Sequence, residues 1–143
     1  TQALGRFDYE DARKVFETNT LAPMKITEAL LPNLLAGQQK KLITLSSSEG
    51  SITQVDSPRI YWYRASKAAV NMAMRNLAFA VKKDGISVAL VNPGPVDTDM
   101  MKGARMPLQQ VDEAAAKVIG IVDRLTLDTT ARFWDFAGGE LPW

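Results

Sequence analysis

The sequence predicts an α/β fold, a doubly wound parallel sheet of which about three strands and three main helices are present. Long stretches of helical periodicity alternate with short apolar runs of strand length, and Gly- or Pro-containing breaks separate them. Helix, strand, helix, strand, helix, strand is the order that builds a parallel sheet through right-handed crossovers. The 143 residues, 46% apolar and 23% charged, suit one globular domain spanning 1–143 and argue against disorder.

Residues 8–35 carry Ala12, Val15, Phe16 and Asn19 at helical spacing, with Leu30, Leu31, Leu34 and Leu35 near the end. Pro23 predicts a kink or break in this first helix, and Pro32 tightens its stop. Residues 41–46 form a short apolar strand, and the Ser/Gly/Asp/Pro-rich stretch 47–58 is a loop. The second helix, about 60–83, presents Ala65, Ala69, Met72, Ala73, Leu77 and Ala80 on one face, and Asp84-Gly85 closes it. Residues 86–91 make a buried strand broken by Asn92-Pro-Gly-Pro95. A third helix over 111–125 and a strand over 132–136 precede Gly138-Gly139 and the tail ending at Trp143.

Composition narrows the chemistry. Lys+Arg 17 against Asp+Glu 16 gives a formal charge of +1, which points away from nucleic acid as a partner. No apolar run approaches the roughly 18 residues of a membrane-spanning helix, and the first residues do not look like a signal peptide, so the expectation is a cytoplasmic protein without a membrane partner. The chain has no cysteine and no histidine. That removes thiol nucleophiles, Ser-His-Asp chemistry and nearly every zinc or non-haem iron arrangement, and no metal is expected. Catalysis would fall to Ser, Thr, Tyr, Lys, Arg, Asp or Glu.

Four groups of residues could carry it. Tyr63 and Lys67 lie four apart early in the second helix, on one face, with Cβ atoms roughly 5–6 Å apart. An ammonium that close favours the ionised phenol, which suits a tyrosine to general acid–base work. Ser46-Ser-Ser-Glu-Gly50 stands at the carboxyl end of the first strand, where open parallel sheets bind ligands. A serine there could bond a substrate carbonyl oxygen and the Tyr63 phenol together. Asn92-Pro-Gly-Pro-Val-Asp-Thr98 ends the next strand, with Gly94 allowing a flat ligand close to the backbone and Thr98 offering a hydroxyl. Asn19 lies on the apolar stripe of the first helix, where its amide must find partners. Each group also has a plain structural explanation: packing for Tyr63, a solvated charge for Lys67, turn chemistry for the serines and the Pro-Gly segment, a clamp for Asn19. Their joint order along the chain is the stronger signal.

In that order the sequence resembles the short-chain dehydrogenase/reductase family along essentially its whole length. Leu42-Ile-Thr-Leu-Ser-Ser-Ser-Glu-Gly50 is similar to the family's strand-and-serine motif, in which Ser47, three residues before the glycine, holds the catalytic place. Tyr63 and Lys67 match its Tyr-x-x-x-Lys, Asn19 its active-site asparagine, and Pro93-Gly94 with Thr98 its cofactor-side loop. The spacing from Ser47 to Tyr63 is about three residues longer than in the commonest members. Gly138-Gly-Glu-Leu-Pro-Trp143 is similar to the small carbonyl reductases of the C-factor and Sniffer-like subgroup.

The resemblance implies a Rossmann-like fold and an oxidoreductase that moves a hydride between NADP or NAD and a small carbonyl or alcohol. It implies Asn19, Ser47, Tyr63 and Lys67 as catalytic residues, and Tyr63, Lys67, Pro93, Gly94, Val96 and Thr98 at the cofactor. Pairing of subunits through the helices at 8–35 and 60–83 is a further family property. The glycine-rich turn that seats a pyrophosphate is not found: no two of the nine glycines form Gly-x-Gly. The expectation is therefore a C-terminal portion of such an enzyme, and the alternative is a non-catalytic fragment or interaction module unable to bind cofactor.

Overall fold

The computed structural model describes residues 3–143. The first helix, α1, spans Tyr9–Phe16 because Asp8 caps it: its Oδ1 accepts the backbone N–H groups of Glu10 and Asp11 at 2.9 and 3.0 Å. Of the kink or break expected at Pro23, the break does not occur, and the irregularity falls just before it. The helix widens into a π turn over Glu17–Leu21 and continues as α2, Ala22–Ala36. Pro23 stands in the first turn of α2, where its missing N–H costs least. Pro32 lies near the end of α2 as expected; four more residues follow, and the Gly37 N–H bonds back to the Asn33 carbonyl at 2.9 Å.

Strand β1 is Lys41–Leu45, helix α3 is Tyr61–Val81, and strand β2 is Ser87–Asn92. Gly85, at φ +76°, makes the left-handed turn between α3 and β2. Helix α4 is Val111–Arg124 and strand β3 is Arg132–Asp135. Each lies within two residues of its expected bounds. The three strands form one parallel sheet in the order β1-β2-β3, with Ile43 beside Ala89 and Leu90 beside Phe133. All three carboxyl ends therefore lie at the same edge, as the Rossmann-like expectation requires.

The central strand is buried along its full length, and its alternating side chains divide the core in two. Val88 and Leu90 pack with Val70, Met74, Ala78 and Val81 of α3, while Ala89 and Val91 pack with Ile121 of α4 and Leu125 beyond it. So α3 and α4 cover opposite faces, although β1 to β2 and β2 to β3 step in the same direction. The two crossovers consequently have opposite hands, and the expectation that all are right-handed fails for one of them. The long connection 93–110 lets the chain pass over the carboxyl edge to the other face before α4 begins.

The buried stripe of α3 also differs from the expected one. It runs through Ser66, Val70, Asn71, Met74, Ala78 and Val81, about one residue on from the alanine-rich face, whereas Met72 is 64% exposed. Alanine count is a weak guide to facing; the true stripe includes two polar residues because it must reach the end of β1.

Phe133 is fully buried in the core under α3 and stacks on Trp143 with ring centroids 5.6 Å apart. Phe133→Ala is expected to cost about 3–5 kcal/mol of folding stability, measured by urea unfolding.

Candidate active site

A cavity of about 900 Å³ opens at the carboxyl edge of the sheet. Its floor is Leu45 to Glu49 at the end of β1, Asn92 to Val96 at the end of β2, and Asp135 and Phe136 at the end of β3. Tyr63 closes one side, Thr98 with Met100, Met101 and Met106 another, and Val111, Ala115 and Ile119 of α4 form an apolar wall. Of the expected site residues, Ser47, Tyr63, Pro93, Gly94, Val96 and Thr98 line this space together; Asn19 and Lys67 stand behind Tyr63.

The order of helix α3 explains that placement. Lys67, one turn on from Tyr63, places its Nζ 5.8 Å from the phenol ring centroid and donates to the Leu45 carbonyl at 3.1 Å. Burial holds the Lys67 ammonium below its ordinary pKa, since a charge removed from water favours its neutral form. Asn19 lies in the π turn and is half-buried; its Nδ2 donates to Ser66 Oγ at 3.1 Å, which itself donates to the Tyr63 carbonyl at 2.8 Å. Thr20 Oγ1 donates to the Ser66 carbonyl at 2.9 Å. The Nδ2 of the amide on the helical stripe thus finds its partner on the helix that carries Tyr63 and Lys67. Ser47 Oγ accepts the Glu49 N–H at 3.2 Å, capping a short 3-10 turn over Ser48–Gly50.

The loop after β2 is ordered by its own chain. Gly94 has φ +74°, and a Cβ there would meet Gln109 Nε2 at 2.5 Å and Phe136 Cδ1 at 2.6 Å. The close neighbours that require glycine are two of the protein's own side chains. Gln109 is the fastener: its backbone N–H bonds the Pro95 carbonyl at 2.8 Å, and its side chain donates to the Pro93 carbonyl at 3.0 Å. Asn92 accepts the Gly94 N–H at 3.3 Å and donates to Asp135 Oδ1 at 2.8 Å. Thr98 is exposed and its hydroxyl reaches the Val96 carbonyl at 3.4 Å.

Sequence reasoning singled out Ser46–Gly50 but missed the partners that hold it, Asn71, Arg59 and Arg64. Ser46 and Asn71 are buried partners at 2.6 Å, and Asn71 Nδ2 donates to the Gly50 carbonyl at 3.4 Å. Gly50 packs so tightly that a Cβ would lie 2.9 Å from Lys67 Cβ. Glu49 takes ion pairs from Arg59 and Arg64. Partial burial pushes the Glu49 carboxyl up, but these arginines outweigh it and hold the group below its ordinary range. The Tyr-Arg-Ala-Ser-Lys run contains Arg64, yet no local pattern pairs it with an acid 15 residues earlier.

The residues present fit the nicotinamide end of a dinucleotide: an apolar wall, a polar floor, and room for a ring and a small second molecule. Among the described residues no group of three or more acidic side chains could hold a metal ion, and no helix is long and apolar enough to cross a membrane.

A family model described as short chain dehydrogenase matches residues 1–109. The chain is similar to C-signal of Myxococcus xanthus, 34% identical over 141 residues that make up 99% of this chain and 84% of that one. It is 38% identical to 1-hydroxy-2-glutathionyl-2-methyl-3-butene dehydrogenase of Rhodococcus sp. (strain AD45), covering 98% of this chain and 62% of the relative. The NADPH-bound carbonyl reductase from chicken fatty liver superposes with a TM-score of 0.90 at 28% identity, over 99% of this chain and 61% of that one. Carbonyl reductase Sniffer of D. melanogaster gives a TM-score of 0.90 at 26% identity, over 99% and 60%. The chain thus spans about three-fifths of the Rhodococcus dehydrogenase and of both carbonyl reductases.

Two outcomes follow from the geometry. Gly94→Ala combines a left-handed backbone with overlap on Gln109 and Phe136, and is expected to lower stability by about 2 kcal/mol or more, measured by thermal unfolding. Glu49 has a depressed pKa in the folded chain, so its contribution is full above the ordinary glutamate pKa of 4.5 and fades as pH falls through the folded value. Glu49→Gln should therefore lower the melting temperature at neutral pH, and the gap to wild type should close as the pH is taken below the ordinary range.

Proposed function

The chain belongs to the short-chain dehydrogenase family, and on that premise we propose that the protein is an oxidoreductase moving a hydride between NADP or NAD and a small carbonyl or alcohol. The observation that carries the reading is the shared cavity wall of Ser47 and Tyr63, with half-buried Lys67 one turn behind. The nicotinamide, when bound, supplies or accepts the hydride.

The remaining steps belong to this chain. Tyr63 gives its phenolic proton to the carbonyl oxygen in reduction and takes it back from the alcohol in oxidation. Ser47 accepts the Glu49 N–H and so keeps its own hydroxyl proton to donate to that same oxygen as negative charge develops. Lys67 spends one proton on the Leu45 carbonyl and has two more for a ribose hydroxyl or a relaying water. Asn19 uses its Nδ2 on Ser66 and keeps its Oδ1 to hold that water. Pro93, Gly94, Val96 and Thr98 form the nicotinamide side. Met100, Met101 and Met106 give the substrate side an adaptable apolar cover.

A second reading, a non-catalytic interaction module, draws on β1, which among the described strands pairs on one side only. One experiment separates the two. Titration of the purified chain with NADH and NADPH, followed by tryptophan fluorescence, is expected to show saturable binding, with reduction of a simple aromatic aldehyde in the same sample. Tyr63→Phe is expected to lower turnover by about 10²–10⁴-fold while cofactor binding persists. Unchanged turnover removes the catalytic assignment, and no binding up to millimolar cofactor favours the interaction module.

A further inference from the structure

Arg64 follows Tyr63 in α3, yet its side chain is only 10% exposed. Its Nε donates to Glu49 Oε2, its Nη1 donates to the Ser57 carbonyl at 2.6 Å, and its Nη2 lies 3.6 Å from Asp56 Oδ1. Arg59 completes the cluster from outside, donating to Glu49 Oε1 and to Ser57 Oγ, both at 2.9 Å. Glu49 is the residue whose backbone N–H bonds Ser47 Oγ. One guanidinium therefore joins three things: the turn that presents Ser47, the loop leading to α3, and the helix position next to Tyr63. The rigid fork of arginine suits that task, and a lysine point charge would not reach all three.

The loop needs holding. Ile60, the residue before α3, has φ +40°, a left-handed conformation that a β-branched side chain disfavours. Strain of this kind persists only where surrounding contacts over-determine the backbone. The Arg64 contacts fall on Ser57 and Asp56, three and four residues before Ile60. The polar contacts of the Arg64 guanidinium fall on Glu49, Asp56 and Ser57, all at this junction.

We propose that Arg64, through its ion pair with Glu49, is a positioning residue that fixes the Ser47 hydroxyl relative to the Tyr63 phenol across the cavity; this rests on the carbonyl-reduction reading. An isolated exposed pair would hold nothing in place. This one is screened from solvent on the arginine side and anchored at both ends.

The test uses wild type, Arg64→Gln, Glu49→Gln and the double variant, each verified as folded at the assay temperature. With whichever cofactor the wild type uses, kcat of each single variant is expected to fall about 10- to 100-fold, the scale of a misplaced catalytic group. KM for the cofactor should stay unchanged, and the double variant should be no slower than the slower single one. Amide hydrogen exchange supplies a readout that needs no turnover: in Arg64→Gln the amides of residues 47–50 are expected to exchange about tenfold faster while those of β2 keep their protection. A kcat within twofold of wild type overturns the positioning role and leaves the function standing. Uniformly faster exchange that reaches β2, or additive losses in the double variant, also overturns it, since Arg64 would then serve global stability alone. A wild type that reduces no carbonyl with either cofactor overturns the functional reading instead. In that case unchanged exchange at 47–50 overturns the clamp as well.

Discussion

A helix that holds a tyrosine and a lysine over the end of a strand must approach that strand closely and at a fixed rotation, and apolar packing does not fix rotation. Hydrophobic burial is non-directional, so α3 could roll on the sheet at little cost if Val70, Met74 and Ala78 were its only contacts. Five polar bonds prevent this. Asn71 is fastened between Ser46 and the Gly50 carbonyl, Lys67 reaches the Leu45 carbonyl, and Ser66 takes Asn19 and Thr20 from the π turn. Buried without these partners, Ser66 and Asn71 would each carry a desolvation penalty, so rolling α3 away from the site is opposed wherever a bond would break. Gly50 makes the approach possible, because any side chain there would strike Lys67.

The cavity itself comes from topology. Because α3 and α4 cover opposite faces of the sheet, the connection between β2 and α4 must pass over the carboxyl edge. That passage puts residues 93–110 above the ends of all three strands, where Ser47 and Tyr63 already stand. Gln109 keeps the passage from collapsing into the space below, since it bonds the carbonyls of Pro93 and Pro95 and is itself held by Lys117 Nζ at 2.7 Å. The crossover of unusual hand is thus the same stretch of chain that roofs the site.

Much of this was legible in the sequence because it rests on local rules. Strand-length apolar runs, the Gly85 stop and the order of Ser47, Tyr63 and Lys67 are short-range signals, and the structure brings Ser47 and Tyr63 to one cavity. What escaped was long-range. The π turn at Glu17–Leu21 shifts the helical phase at Asn19 without a marker in composition, and Pro23 tolerates its place because the turn before it supplies the reset. The buried face of α3 was misplaced because Ser66 and Asn71 look like surface residues until Ser46 and Asn19 are brought to them. At Gly94 the atoms that exclude a side chain belong to Gln109 and Phe136, 15 and 42 residues away in the chain, a constraint no local pattern carries.

The absence of histidine makes these positional details matter more than they would elsewhere. An imidazole titrates near neutral pH unaided and tolerates some looseness, because its proton is available at working pH. Tyrosine and lysine have ordinary values well above it, so a proton relay built from them works through environment and orientation. The Lys67 ammonium is brought down by desolvation, which requires α3 to sit tightly on the Ser46–Gly50 turn. In the proposed chemistry Tyr63 must face the Ser47 hydroxyl, which requires that turn to keep its own shape. Both demands converge on five residues, Ser46 to Gly50, of which the first and last are buried, the second caps the turn, and the fourth is held by arginines from the loop and from α3. In the proposed chemistry the serine motif is therefore as much a mounting for the helix as a donor to substrate, and its two functions fail together when its packing is disturbed.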